Sequence, residues 1–242
     1  MSLYRLAHQS ANAALEKLGM RLIKYPPDPL NCRMRQIESN HIDLVLDVGA
    51  NEGQHAQMLR RAGYHGELIS YEPQPRAYAA LSHHLANDPK WTANNCAVGA
   101  EEGRLTLNIA ENSVASSILP IGQPSLDAAP ECRYTSTVEV PVIALKETLR
   151  AHRHRAIMLK IDVQGFEPQV LEGCGDLLEQ VAVLDVEMAL APIYEGQALF
   201  DEVDGAIRAR GFRRVGFDHA FWNRATGELL ALDGIYARAN SA

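Results

Sequence analysis

Four carboxylates stand where an apolar run gives way to a turn: Asp47, Glu72, Asp162 and Glu187. The first belongs to Leu44-Val45-Leu46-Asp47-Val48, near-continuous in apolar residues as a buried parallel strand is. Gly49-Ala50-Asn51-Glu52-Gly53 follows, and His55 to Ala62 then places Ala56, Leu59 and Ala62 at helical spacing before Gly63. A glycine-rich turn between a strand and a helix start offers unpaired backbone N–H groups at the positive end of a helix dipole. Such a place favours an anionic or zwitterionic ligand. The middle glycine of the dinucleotide fingerprint is missing, and Asn51, which tolerates left-handed backbone, stands in the turn. Glu72 ends the next apolar run, Gly66 to Pro73, about 20 residues beyond the turn, where doubly wound folds hold a ribose with a carboxylate.

These groups need a sheet to hold them. Pro73 stops the second strand, Arg76 to Leu85 has helical periodicity, and Trp91 to Gly99 reads as a third strand. Strand–helix alternation at this spacing predicts a parallel sheet with its ligand at the carboxyl ends of the strands. Residues 103 to 142 interrupt it: 103–109 and 135–142 alternate in period two, as half-buried antiparallel strands do. Between them lies a long segment with Ser113, Ser116, Ser117 and three prolines. The alternation resumes with a helix from Leu145, a buried strand Ile157 to Asp162, a helix from Glu167, a strand Val181 to Glu187 and a helix Leu199 to Arg210. Two strands joined by Asn223 to Gly227 close the chain. Ahead of the sheet, Leu3 to Leu22 carries an apolar helical stripe that ends at Tyr25-Pro26-Pro27. Its expected place is packed on its own domain, capping a cleft or meeting a second copy. The expected organisation is an N-terminal helical extension over residues 1–40 and one α/β domain over 41–242.

Four motifs in order carry a resemblance: Asp47 to Gly53, Tyr71-Glu72-Pro73, Asn95-Cys96-Ala97-Val98-Gly99, and Lys160-Ile161-Asp162-Val163-Gln164-Gly165-Phe166-Glu167. Together they resemble the FkbM family of S-adenosylmethionine-dependent methyltransferases, over about residues 40 to 237. Gln164 departs from the family pattern, which more often has Glu there. The resemblance implies a class I methyltransferase fold: a Rossmann-like doubly wound sheet with a C-terminal antiparallel hairpin, here with an inserted β-hairpin region. It also implies O-methylation of a hydroxyl on a sugar, glycan or natural product, with S-adenosylmethionine as cofactor.

Methyl transfer from a sulfonium to an alcohol needs alignment of the oxygen with the breaking bond and a route for the hydroxyl proton. The strands expected to border the site end in three candidate bases, Asp162, Glu187 and His219. Lys160, inside its strand, is costly to bury alone and is expected to pair with Asp162 or Glu187. Those two carboxylates are also compatible with Mg²⁺, although no close acidic cluster calls for a metal and none is expected. The expected cofactor contacts are Asp47, Gly49, Ala50, Asn51 and Gly53, then Glu72 and Pro73 for the ribose. Asn95, Ala97, Val98 and Ser117 are expected around the adenine, and Asp162 near the reacting centre. The segment from Glu111 to Thr135 and the N-terminal helix, with Tyr4, Tyr25 and Tyr134, are expected to cover the acceptor.

Composition narrows the class. The chain has 242 residues, 47% hydrophobic and 22% charged, enough for one sizeable core. A net charge of −7 without a Lys/Arg cluster argues against nucleic acid as partner. Cys32, Cys96, Cys132 and Cys174 form no CxxC pair, and no apolar run reaches the roughly 20 residues of a membrane span. No secretory signal is visible, so the expectation is a cytoplasmic enzyme. Two other readings fit a doubly wound sheet: a nicotinamide-dependent oxidoreductase, and a non-catalytic cofactor-binding assembly partner. The missing glycine counts against the first and the retained acids against the second.

Overall fold

The computed structural model describes residues 11–13, 15–20, 22 and 27–239. Helix α1 (Asp28–Ser39) leads into strand β1 (Leu44–Val48), helix α2 (Gln54–Arg61), β2 (Glu67–Tyr71), α3 (Pro75–Leu85) and β3 (Trp91–Asn94). An inserted region follows with β4 (Ala97–Val98), β5 (Gly103–Ala110), a short helix α4 (Gln123–Ala128) and β6 (Tyr134–Ile143). The chain then returns through α5 (Lys146–Ala151), β7 (Ile157–Ile161), α6 (Glu167–Cys174), β8 (Val181–Ala189) and α7 (Phe200–Ala209). It ends in the hairpin β9 (Phe212–Asn223) and β10 (Glu228–Arg238).

The main sheet has seven strands in the order β3-β2-β1-β7-β8-β10-β9. Neighbours from β3 to β8 are parallel, and β10 pairs antiparallel with both β8 and β9. Every residue of β1 and β7 is buried, because helices cover both faces of the sheet. Side chains alternate between the two cores. Leu44, Leu46 and Val48 pack with Leu149, Val170 and Ile207, whereas Val45 packs with Leu30, Met34 and Ile37 of α1 and with Leu59 of α2. Helix α1 therefore shares the sheet's core although it precedes the boundary expected at residue 40. The helix expected over 3–23 lies largely outside the described residues. Of it, residues 11–13 and 15 are helical and Glu16–Leu18 forms a single 3₁₀ turn. Among the described residues no helix is long and apolar enough to cross a membrane.

One strand expectation is corrected. Trp91 to Gly99 is two strands, with β3 in the main sheet and β4 paired with β6 in a three-stranded sheet of order β4-β6-β5. Asn95 sits at the break, and its amide donates to the carbonyls of Glu72 at 2.8 Å and Pro73 at 3.2 Å. Those bonds tie the chain to the end of β2 and turn it off the sheet edge. The expected antiparallel pair is present as β5 and β6.

A buried ion cluster fastens α1 to the C-terminal half. Arg33 donates to Asp185 on β8 at 2.5 Å, Asp218 on β9 at 2.8 Å and Asp233 on β10 at 3.0 Å. Arg33 and Asp185 are almost completely buried, so each charge depends on the other for its solvation. Arg33→Met should therefore cost about 3–5 kcal/mol, the usual cost of leaving one buried charge unpaired. Urea unfolding of the variant measures it, and a loss below about 1 kcal/mol would show that the acids are solvated some other way.

Candidate functional site

The strand order reverses between β1 and β7, and a cleft of about 930 Å³ opens at the carboxyl ends of these strands. This is where open α/β sheets bind ligands. Its wall includes Gly49, Ala50, Asn51, Glu72, Pro73, Ala97, Val98, Lys160, Asp162, Glu187 and His219, all expected from the sequence. Asp47, Gly53, Asn95 and Ser117 are not on that wall. Asp47 is fully buried behind it, Asn95 ties the end of β2, and Ser117 donates to the Gln164 carbonyl at 2.6 Å. Gly53 has φ +86°, and a Cβ there would lie 2.7 Å from the Trp91 ring, so its role is the fit of α2 over β3.

Gly49 sets the geometry of the cleft floor. Its φ is +78°, and a Cβ at this position would lie 1.7 Å from the Asp162 carbonyl oxygen. The turns after β1 and β7 thus touch backbone to backbone, which brings Asp162 beside the first turn. The free amides expected in that turn are not free. Gly49 and Ala50 donate to the Tyr71 carbonyl, Gly53 to Ala50, Glu52 to the Asn51 side chain, and Asn51 to the Glu72 carboxylate at 2.7 Å. A tight turn between a strand and a helix has its own polar groups to satisfy, and the sequence does not show which ones remain. The N–H groups of Gln54, His55 and Ala56 precede the first helical bond, from Gln57 to Gly53, and they are what this end offers a ligand.

Glu72 is held at the end of β2 by two amides, Asn51 on one oxygen and Gln74 on the other, both at 2.7 Å. Burial pushes its pKa up to about 7, against the two backbone donors and the Lys160 charge that pull it down. A diol donor reaching this carboxylate would favour its ionised form.

Across the floor, Lys160 pairs with Asp162 at 3.0 Å and lies 3.8 Å from Asp47. Burial opposes its charge, but Asp162 and Asp47 overcome that and hold its pKa above the ordinary value. Of the two partners expected for Lys160, Asp162 is the one it meets. Glu187 instead accepts from the Gln164 amide at 2.5 Å, and the same nitrogen donates to Asp162 at 2.7 Å. Burial works to raise Asp162, yet Lys160 and Gln164 keep it below the usual carboxylate range. Burial, then Asp162, Asp233 and Glu167, drive Glu187 well above it. Two neighbouring carboxyl groups thus have their proton affinities pushed apart, Asp162 downward and Glu187 upward. Glu187 also faces Asp233 across the strand pair. His219 stands at the rim on β9, its side chain 68% exposed, 3.6 Å from Asp218 and edge-on to Trp222.

Several cleft residues had no signal in the sequence. Arg33 looks like any arginine on an amphipathic helix, and Tyr194 lies in an irregular segment after β8. His55, on the first turn of α2, lines the cleft with a buried Nε2 that lacks a partner, as does Asp47 Oδ1. Burial lowers the His55 pKa to about 4, so it is neutral. The segment 112–132 supplies Asn112, Ser113, Val114, Ala115 and Ser116 to the wall. Among the described residues no group of three or more His, Cys, Asp or Glu is placed to hold a metal ion.

The family model for the methyltransferase FkbM domain matches residues 47–214. The chain belongs to this family. A curated relative, methyltransferase sdnD from Sordaria araneosa, is 24% identical over an alignment of 203 residues that covers 74% of this chain and 76% of that protein. Methyltransferase FkbM from Methylobacillus flagellatus superposes with a TM-score of 0.52 at 14% identity over 81% of this chain. The chain spans 43% of the length of that structure. An rRNA methylase from Streptococcus thermophilus gives a TM-score of 0.46 at 13% identity, over 90% of this chain and 99% of that one. This FkbM-family chain has the class I methyltransferase fold, and a methyltransferase dependent on S-adenosylmethionine is the coarse function that goes with it.

Glu72 gives this site a pH signature that needs no ligand. Its folded pKa, about 7, lies above the ordinary 4.5, so the folded state holds more protons between those values. Stability contributed by this group therefore falls as pH rises from about 4.5 to 7. Glu72→Gln should flatten the decline over that window by an amount on the order of 3 kcal/mol, measured by urea unfolding at several pH values. Parallel curves for the two proteins would mean that Glu72 titrates normally.

Proposed function

We propose that this protein is an O-methyltransferase that moves the methyl group of S-adenosylmethionine to a hydroxyl of a sugar, glycan or natural product. One observation carries the reading: Asp162, kept ionised by Lys160, ends β7 in the same cleft as Glu72 at the end of β2. The residues present suit the cofactor. Glu72 can accept from both ribose hydroxyls, and Cys96, Ala97, Val98, Leu107 and Ile118 offer an apolar slot for a flat ring. The carboxylate of Asp162 favours the cationic portion. When bound, S-adenosylmethionine supplies a methyl group on a positively charged sulfur that leaves as a neutral thioether.

The chain's own work is to orient and to take a proton. Asp162 accepts a hydrogen bond from the acceptor hydroxyl, and Lys160 and Gln164 fix the direction of its oxygens. As the acceptor oxygen gains a carbon, its proton becomes strongly acidic. A carboxylate of low basicity that is already ionised at neutral pH then suffices as base. Glu187, which holds a proton more tightly than Asp162 does, stands beside it as the group that donates to an acceptor oxygen. His219, at the rim beside Trp222, contacts the acceptor body, as do Ser113 and Ser116 of the segment 112–132. The helix expected over 3–23 would complete this cover, with the methyltransferase domain including helix α1.

The two buried cations of the wall are already committed, Arg33 to three aspartates and Lys160 to two. That supports an acceptor without phosphate rather than a nucleic acid, and a cytoplasmic small-molecule or glycan enzyme. The family match does not favour the nicotinamide reading.

An acceptor can be found by screening hydroxylated compounds for the mass gain of one methyl. With it, Asp162→Asn should lower turnover by about 10²–10⁴-fold, the usual span for a general base. Affinity for S-adenosylhomocysteine should change less than about threefold, because the ribose and adenine contacts lie elsewhere. Turnover near wild type would remove Asp162 from the reacting centre.

A further inference from the structure

Gln164 is the only non-glycine residue of the turn after β7 with left-handed backbone, at φ +56°. A side chain rarely persists there unless surrounding contacts over-determine it. Here those contacts converge from two directions. Its Nε2 donates to Asp162 Oδ1 at 2.7 Å and to Glu187 Oε2 at 2.5 Å, using both amide hydrogens. Its Oε1 accepts from the Tyr194 hydroxyl at 2.7 Å, and its backbone carbonyl accepts from Ser117 at 2.6 Å. Tyr194 also reaches the Ala115 carbonyl at 3.1 Å, and Leu119 donates to Ser117 Oγ at 3.0 Å. Ala115, Ser117 and Leu119 all belong to the segment proposed to cover the acceptor.

Packing enforces the same connection. At Gly165, φ +98°, a Cβ would lie 2.9 Å from Leu119 and 3.4 Å from the Tyr194 ring. The cover thus presses directly on the turn that carries Gln164. A Tyr194 hydroxyl is a donor throughout the working pH range, because burial and then Glu187 push its pKa up. An acceptor-only Oε1 facing that hydroxyl leaves the NH₂ group aimed at the two carboxyl groups. Turned over, the amide would set its oxygen against the ionised Asp162 and lose that bond.

We propose that Gln164 is a positioning residue that joins the acceptor cover to the Asp162–Glu187 pair: Tyr194 aims its amide, and the amide holds Asp162 ionised and in place. The inference rests on the reading of Asp162 as the proton acceptor. Hydrogen bonding to Asp162 from Lys160, Gln164 and Glu187 stabilises its charged form. The other titratable groups whose charge reaches Asp162 are Glu187 on β8, Asp233 on β10, Glu167 on α6, Tyr194, and His55 on α2. A substitution at position 164 also removes the amide's bonds to Glu187 and Tyr194, so the Tyr194→Phe variant, which leaves the amide and Glu187 in place, is read beside it.

The test uses the full chain without cofactor or acceptor. Aspartate carboxyl carbons are labelled with ¹³C and followed by NMR against pH, and the Asp162 signal is assigned by its loss in Asp162→Asn. In the wild type its midpoint should lie below the ordinary aspartate value. Gln164→Leu, which keeps the size and removes the donors, should raise that midpoint by about one pH unit or more, the scale of a lost charge-assisted bond. Tyr194→Phe should raise it in the same direction by less, although Tyr194 does not touch Asp162. An unchanged midpoint in Tyr194→Phe would overturn the relay, and in Gln164→Leu the positioning role. Should Gln164→Leu fail to fold, Tyr194→Phe, which only deletes a hydroxyl, decides alone. Because the titration contains no cofactor or acceptor, its failure leaves the methyl-transfer reading standing, and loss of methyl transfer leaves the titration valid.

Discussion

No side chain fits at position 49. The turn after β1 and the turn after β7 meet there backbone to backbone, with the Asp162 carbonyl where a Cβ would otherwise sit. This contact fixes the distance between the two halves of a doubly wound sheet at the point where its winding reverses. Everything else in the cleft hangs from it. The first turn must close tightly, so its amides bond inward, and one of them bonds to Glu72 from the neighbouring strand. Lys160 then lies between Asp47 of β1 and Asp162 of its own strand, reaching toward the Gly49 carbonyl at 3.5 Å. A single steric constraint in the backbone thereby places Glu72, Asp162 and Lys160 around one cleft floor.

Electrostatics completes what the backbone begins. A floor with Asp47, Asp162, Glu187 and Asp233 would repel itself apart if all four were ionised and equivalent. The protein avoids this by giving each a different environment. Lys160 neutralises the first two, Gln164 bridges the second and third, and Arg33 holds the fourth together with Asp185 and Asp218. Burial drives Asp233 to about 7, so it loses its charge as readily as Glu72 does. Asp162 is thereby driven toward the ionised form and Glu187 away from it, the separation that the proposed proton transfer uses.

Much of this was legible in residue order and some of it was not. The buried strands β1, β7 and β8 announce themselves because both faces are covered, so nearly every residue is apolar. Asp47, Glu72, Asp162 and Glu187 stand out because acids at the ends of such runs have few structural reasons to be there. The break between β3 and β4 was not legible. Trp91 to Val98 has strand-forming residues on both sides of Asn94-Asn95, and the tertiary bonds of Asn95 to the end of β2 make that pair a break rather than part of one strand. Arg33 and Tyr194 were invisible for a related reason. Their roles depend on partners on distant strands, and nothing local distinguishes them from a surface arginine or a packed tyrosine. The free-amide expectation for the first turn erred because hydrogen-bond capacity was inferred from position, whereas Tyr71 and Glu72 on β2 consume it.

The central claim is that one cleft at the switch point holds both the cofactor and the reacting carboxylate. A crystal structure of the chain with S-adenosylhomocysteine tests it most directly. The account predicts the ribose hydroxyls on Glu72, the adenine against Ala97 and Val98, and the sulfur facing Asp162 across the Gly49 turn. A nucleoside bound away from Glu72 and Val98, or a sulfur turned away from Asp162, would contradict it.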